Sequence, residues 1–98
     1  MPYAVIARYE VAPTDASHVR EALIKMREHA HTEPANLTYE VHEVLDAPEG
    51  RVAFVLYEVY DDQAGFEAHT RTEHFTRLIV ADVRPRLLDR SVTFANLL

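Results

Sequence analysis

Two residues of this chain invite a chemical reading, Glu58 and His69. Glu58 is the only carboxylate in the run Val52-Ala53-Phe54-Val55-Leu56-Tyr57-Glu58-Val59-Tyr60. An unpaired charge in such surroundings is costly, so it must be neutralised or held by a partner. An ion pair with an Arg, or a contact to a backbone amide at a helix end, would satisfy it as well as a catalytic role. His69 closes a short helix whose Phe66 face should look toward the sheet. An imidazole with an ordinary pKa of about 6.5 suits general-base work on a phenolic hydroxyl. The plainer alternative is a histidine hydrogen-bonded to Glu58 that fixes the end of the helix, and both readings keep the pair together.

Other side chains should gather around them. The apolar stripes of the second helical region and the sheet are expected to meet in a cavity bordered by Glu58, His69 and several of Tyr39, Phe54, Tyr60, Phe66 and Phe75. The tyrosines alternate with aliphatic residues, as core residues do, but aromatic walls with hydroxyl handles also suit a flat aromatic ligand. His74 either lines this pocket or sits at a surface or interface. Asn36, where a strand begins, is either a turn residue or a polar group that orients a substrate carbonyl.

Rival chemistries find less support. Among the six histidines, His29 and His31 lie two apart on a helix and face different ways, and no pair has the spacing of a metal-ligand motif, so no metal site is expected. The absence of Cys removes thiolate nucleophiles and disulfides. Gly50 and Gly65 are the only glycines, too few for a phosphate-cradling loop. Ser17 and Ser91 have no visible triad partners. The formal charge is −6, and nine Arg and Lys25 are scattered rather than gathered on one face, which argues against a nucleic-acid partner.

The elements that must position these residues follow from periodicity. Tyr3 to Val11 alternates as a strand and Pro13 closes it; Ala16, Val19, Leu23, Met26 and Ala30 then fall on one helical face, with Thr14 or Asp15 as its cap. Leu37 to Leu45 alternates again, and Asp46 to Gly50 supplies a hairpin turn into Val52–Tyr60, a strand apolar on both faces apart from Glu58. Asp61 and Asp62 offer caps for a short helix through His69, Thr70-Arg71-Thr72-Glu73 has the spacing of a capping box for a second, and Leu88 to Leu97 reads as the last strand. The order β-α-β-β-α-β predicts an α+β, ferredoxin-like domain over residues 1–98, a four-stranded antiparallel sheet with helices on one face. The bare face, apolar in strands one and three, predicts a homodimer closed sheet to sheet. The N-terminus lacks the pattern of a signal peptide, and no apolar run approaches the ~18 residues of a membrane span, so the expectation is a cytoplasmic protein without a membrane partner.

Several stretches, in order, resemble the antibiotic biosynthesis monooxygenase domains: Glu33-Pro34-Ala35-Asn36-Leu37-Thr38-Tyr39, Leu56-Tyr57-Glu58-Val59-Tyr60, Phe66-Glu67-Ala68-His69 and Glu73-His74-Phe75. The chain departs from the family pattern where Ala35 replaces the usual Gly and Tyr60 a frequent Trp. The resemblance implies a dimeric α+β barrel. It also implies oxygenation of a quinol or small polycyclic aromatic by O2 with no cofactor, the substrate itself supplying the electrons. Haem-degrading relatives rely on a Trp, which this chain lacks. On this reading His69 acts as base or hydrogen-bond donor and Glu58 orients it, with Asn36, Tyr39, Phe54, Tyr60, Phe66, His74 and Phe75 around the substrate. The alternative is a non-catalytic dimeric module of the same fold that binds a small hydrophobic ligand or serves in assembly.

Overall fold

Strand alternation in Tyr3–Val11 and Val52–Tyr60 builds the two central strands of the structure, a computed structural model that describes residues Met1–Leu98. These are β1 (Tyr3–Val11) and β3 (Val52–Tyr60); β2 (Asn36–Glu43) and β4 (Leu87–Asn96) flank them. The sheet order is β2-β3-β1-β4 with every neighbour antiparallel. Pairing brings Val5 opposite both Glu58 and Phe94, and Tyr39 opposite Glu58. One face of the sheet therefore carries Tyr39, Glu58, Val5 and Phe94 in a row across all four strands.

That face is covered by helix α1 (Ala16–Ala30) and by a second helical region broken into α2 (Gln63–Thr70) and α3 (Glu73–Phe75), the latter running on as a π-helical stretch, Thr76–Val83. Val19, Leu23, Met26 and Ala30 of α1 are fully buried against Tyr9, Val11, Phe54 and Leu56, and Leu78, Ile79 and Val83 close the core from the π-helical side. The architecture is the expected α+β, ferredoxin-like one. No helix is long and apolar enough to cross a membrane.

Local signals worked differently at two caps. Asp15 lies in a 3-10 turn, Pro13–Asp15, and makes no cap bond; its carboxylate accepts from Arg86 Nη1 at 2.9 Å instead. The expected box beginning at Thr70 is displaced: Thr72 is the residue whose hydroxyl accepts from the Phe75 amide, at 3.2 Å, while Thr70 donates to the carbonyl of Glu67. Asp62 does cap α2, accepting from the Gly65 amide at 2.9 Å.

Gly65 also sets how closely α2 approaches the segment before β2. A β-carbon there would lie 2.7 Å from the Ala35 β-carbon, closer than two carbons can pack, but at an ordinary 3.5 Å from that of Tyr60. The Gly65→Ala variant is thus expected to lose about 1–3 kcal/mol. Ala35→Gly in the same chain removes the opposing methyl and is expected to restore most of it. Chemical denaturation of the two variants checks this, and a double variant no more stable than the single one would contradict it.

Candidate active site

The break between α2 and α3 places His69 and His74 over the end of α1, where the chain turns through Glu33 toward β2. His69, at the last turn of α2, is fully buried. Its Nδ1 lies 2.8 Å from Glu33 Oε1, and His74 Nε2 lies 2.7 Å from Glu33 Oε2. One carboxylate thus bridges two imidazoles, each donating an N–H, and this fixes the His69 proton on Nδ1 and leaves Nε2 as an acceptor. His74 stacks in turn on His29, ring centres 4.8 Å apart. Phe75 and Tyr60 pack around the His69 ring at 5.2 and 5.3 Å.

His69 Nε2 faces Glu58, but at 3.8 Å from Oε1, too far for a hydrogen bond. Glu58 Oε1 instead accepts from the Tyr60 hydroxyl at 2.7 Å. The expectation that Glu58 orients His69 is corrected: Glu33 does so, because it reaches Nδ1 from the loop after α1, whereas Glu58 is held by its neighbour two residues along the same strand. Burial pushes the Glu58 carboxyl up to about 7, with the charge of Glu33 adding to the shift and the Tyr60 hydrogen bond opposing it. Burial lowers the His69 pKa against the pull of Glu33. Tyr39 and Tyr60 are raised, first by burial and then by Glu58, so both remain neutral phenols.

A small, partly open cavity of about 40 Å³ lies where α3 and α2 meet β1 and β4. Glu58, Phe66 and Phe75 line it as expected, together with Tyr9, Arg84 and Arg90. His69 does not reach it; Glu58 stands between them. The other expected members are elsewhere. Tyr39 and Tyr60 are buried against His69, behind Glu58. Phe54 is four residues back along β3, about 13 Å away at strand spacing. It packs in the α1 core beneath the Arg20 guanidinium and borders a different depression. Asn36 spends its Nδ2 on the Thr38 carbonyl, at 3.0 Å, across the irregularity that opens β2, which is the turn role.

The residues that could hold a metal are Glu33, His69 and His74, whose donor atoms lie within 4.8 Å of one another. Sequence spacing did not reveal this set, because Glu33 is separated from the two histidines by 36 and 41 residues. As folded, the carboxylate sits between the two nitrogens and is hydrogen-bonded to both.

The family model for antibiotic biosynthesis monooxygenases matches residues 2–80. Among solved structures, Rv0793 from Mycobacterium tuberculosis is 28% identical, with a TM-score of 0.87 over 100% of this chain and 96% of that one. An antibiotic biosynthesis monooxygenase is 28% identical, with a TM-score of 0.84 over 98% of both chains. A Nitrosomonas europaea protein, assigned only provisionally to the same activity, shares the fold at a TM-score of 0.90 and 24% identity, over 99% of this chain and 90% of that one. A comparison with curated proteins finds no match.

Proposed function

This chain belongs to the antibiotic biosynthesis monooxygenase family, and from that premise we propose that it oxygenates a small quinol with O2, without a cofactor, as one domain that pairs into a homodimer. The observation that carries the proposal is Glu58. It is a buried carboxyl at the wall of an aromatic-lined cavity, with a pKa of about 7, where a carboxylate serves well as general base at neutral pH. In this reading Glu58 takes the proton of the substrate hydroxyl. His69 Nε2 lies behind it, and Glu33 and the partly exposed His74 complete a path for that proton to water. The electron-rich ring then reacts with O2: one oxygen atom enters the ring, the other leaves as water, and the quinol becomes a hydroxyquinone.

A cavity of about 40 Å³ holds only a few waters, whereas benzene needs a space nearer ~150 Å³. The site must widen to admit a ring. Phe94, half exposed on the edge strand and tilted against Phe66 with ring centres 5.6 Å apart, is in this reading the side chain that turns aside to admit it. Oxygen uptake by the metal-free protein with simple hydroquinones tests the activity. No uptake beyond the buffer blank favours the ligand-binding reading instead.

The dimer rests on the other face of the sheet. There Ile6, Val55 and Tyr57 of the central strands remain only half-buried, while Glu40, His42, Ser91 and Thr93 of the edge strands frame them. Burying such a stripe against its copy is favourable at ~25 cal/mol per Å² of apolar surface. Light scattering at micromolar concentration should return the mass of two chains, and a monodisperse monomer would count against this part of the proposal.

A further inference from the structure

We propose that Arg84 and Arg90, beside Tyr9, form an anion subsite that binds a planar carboxylate on the ring of the substrate. The inference rests on the reading of the cavity as the substrate site and narrows its ligand to an aromatic carboxylate.

The chain carries a net charge of −6, so carboxylates are plentiful, and Arg8, Arg20, Arg51, Arg77 and Arg86 each pair with one at 2.7–3.3 Å. Arg27, Arg71, Arg84 and Arg90 pair with none, and of these the half-buried Arg84 and the exposed Arg90 line the cavity that Glu58 lines. Arg84 Nε is, moreover, the single buried side-chain nitrogen or oxygen in the chain without a hydrogen-bond partner. Buried polar atoms are nearly always satisfied, and the exception marks a guanidinium that the protein leaves incompletely bonded beside the cavity.

Their placement is built into the fold. Arg84 follows the π-helical stretch directly, in a turn with Pro85, and its guanidinium lies over the Phe75 ring, 5.5 Å from the centre. Arg90 is paired with Tyr9 across β1 and β4 and shares the inward alternation of Val92 and Phe94. Its neighbour Asp89 is in register with Glu10, so alternation turns it toward the opposite face of the sheet, although it borders a separate open depression at the start of β4 together with Arg84 and Arg90. The charges of Arg90 and Arg84, and a side-chain hydrogen bond from Arg90, act on the Tyr9 phenol and offset part of the rise that burial and Glu58 cause.

The chemistry selects the ligand. A guanidinium presents planar, forked donors that match a carboxylate. The cavity as it stands is large enough for such a head group and too small for a ring, while Phe66, Phe75 and Phe94 offer aromatic surface alongside it. A ring bearing a carboxylate would place the anion between the arginines and its hydroxyl toward Glu58.

Titration calorimetry with two hydroquinones that differ only in one group, a dihydroxybenzoate and its uncharged dihydroxybenzamide, tests this without any need for turnover. The wild-type protein should bind the carboxylate about tenfold more tightly or better. The Arg84→Gln/Arg90→Gln double variant should lose that preference and keep its affinity for the amide, which also reports an intact site. Equal affinities in the wild type, a preference that survives in the double variant, binding of neither probe at millimolar concentration, or equally effective competition by inorganic phosphate would each overturn the proposal. Arginine-dependent binding without oxygen uptake would leave the subsite standing and remove the oxygenase reading; uptake at equal rates with both probes, bound equally well, would do the reverse.

Discussion

Replacing Glu58 by Gln is expected to make the protein more stable and less active at once. At pH 8 the wild-type chain folds with a carboxylate that would rather be protonated, since its pKa rises from an ordinary 4.5 to about 7 on burial. The folded state binds more protons than the unfolded state between these values. Stability from this group is therefore fully present below about pH 4.5, is lost as pH rises, and is gone above about 7. The amide never ionises and can still accept from the Tyr60 hydroxyl. Glu58→Gln should gain about 3 kcal/mol over wild type at pH 8, a rise in Tm on the order of 10 °C, and nothing near pH 4.5. His69 acts in the opposite sense: its pKa is lowered in the fold, so it withdraws stability as pH falls below its ordinary 6.5. With Glu58 neutralised, only this acid-side loss should remain in that pair. Oxygen-dependent turnover should meanwhile fall about a hundredfold with the loss of the base. Thermal melts across this pH range check the first half; a variant less stable than wild type at pH 8 would mean that Glu58 is held charged by a partner.

His69→Ala is expected to cost both stability and turnover. The ring is fully buried among Tyr39, Tyr60, Phe66 and Phe75 and holds one side of the Glu33 carboxylate. Its removal leaves a cavity and a lost hydrogen bond, about 2–4 kcal/mol together. If His69 also passes protons from Glu58 toward Glu33, turnover should drop by about tenfold or more, and free imidazole, which fits the space left behind, should restore part of it. A purely structural histidine gives a different outcome: imidazole would raise the melting transition, and the activity of the folded fraction, measured below that transition, would equal that of wild type.

The sequence disclosed the fold more fully than the site. Alternation in β1 and β3 and the Val19, Leu23, Met26 spacing of α1 are local patterns, and the core they build follows from them. Glu58 was legible because a carboxylate among Val, Leu and Tyr breaks the pattern of its own strand. Glu33 was not: it lies in a polar turn before Pro34, where a carboxylate reads as solvated, and only the fold carries it to His69 and His74. Phe54 shares the face of Glu58 but lies a strand's half-length away, a distance that alternation does not encode. Arg90 left a signal that could have been read, since it occupies the inward alternation of Val92 and Phe94. Arg84 left none, because a charged residue after a helix is ordinarily at the surface.

The most direct test of the oxygenase reading is the fate of isotopic oxygen. Metal-free protein is given a hydroquinone under ¹⁸O2, and the product is analysed by mass spectrometry alongside the Glu58→Gln variant. The expected result is one labelled atom in the hydroxyquinone for each O2 consumed, the other appearing in water, at a rate that Glu58→Gln lowers about a hundredfold. Unlabelled product with hydrogen peroxide formed in its place, or the same rate in both proteins, would contradict it.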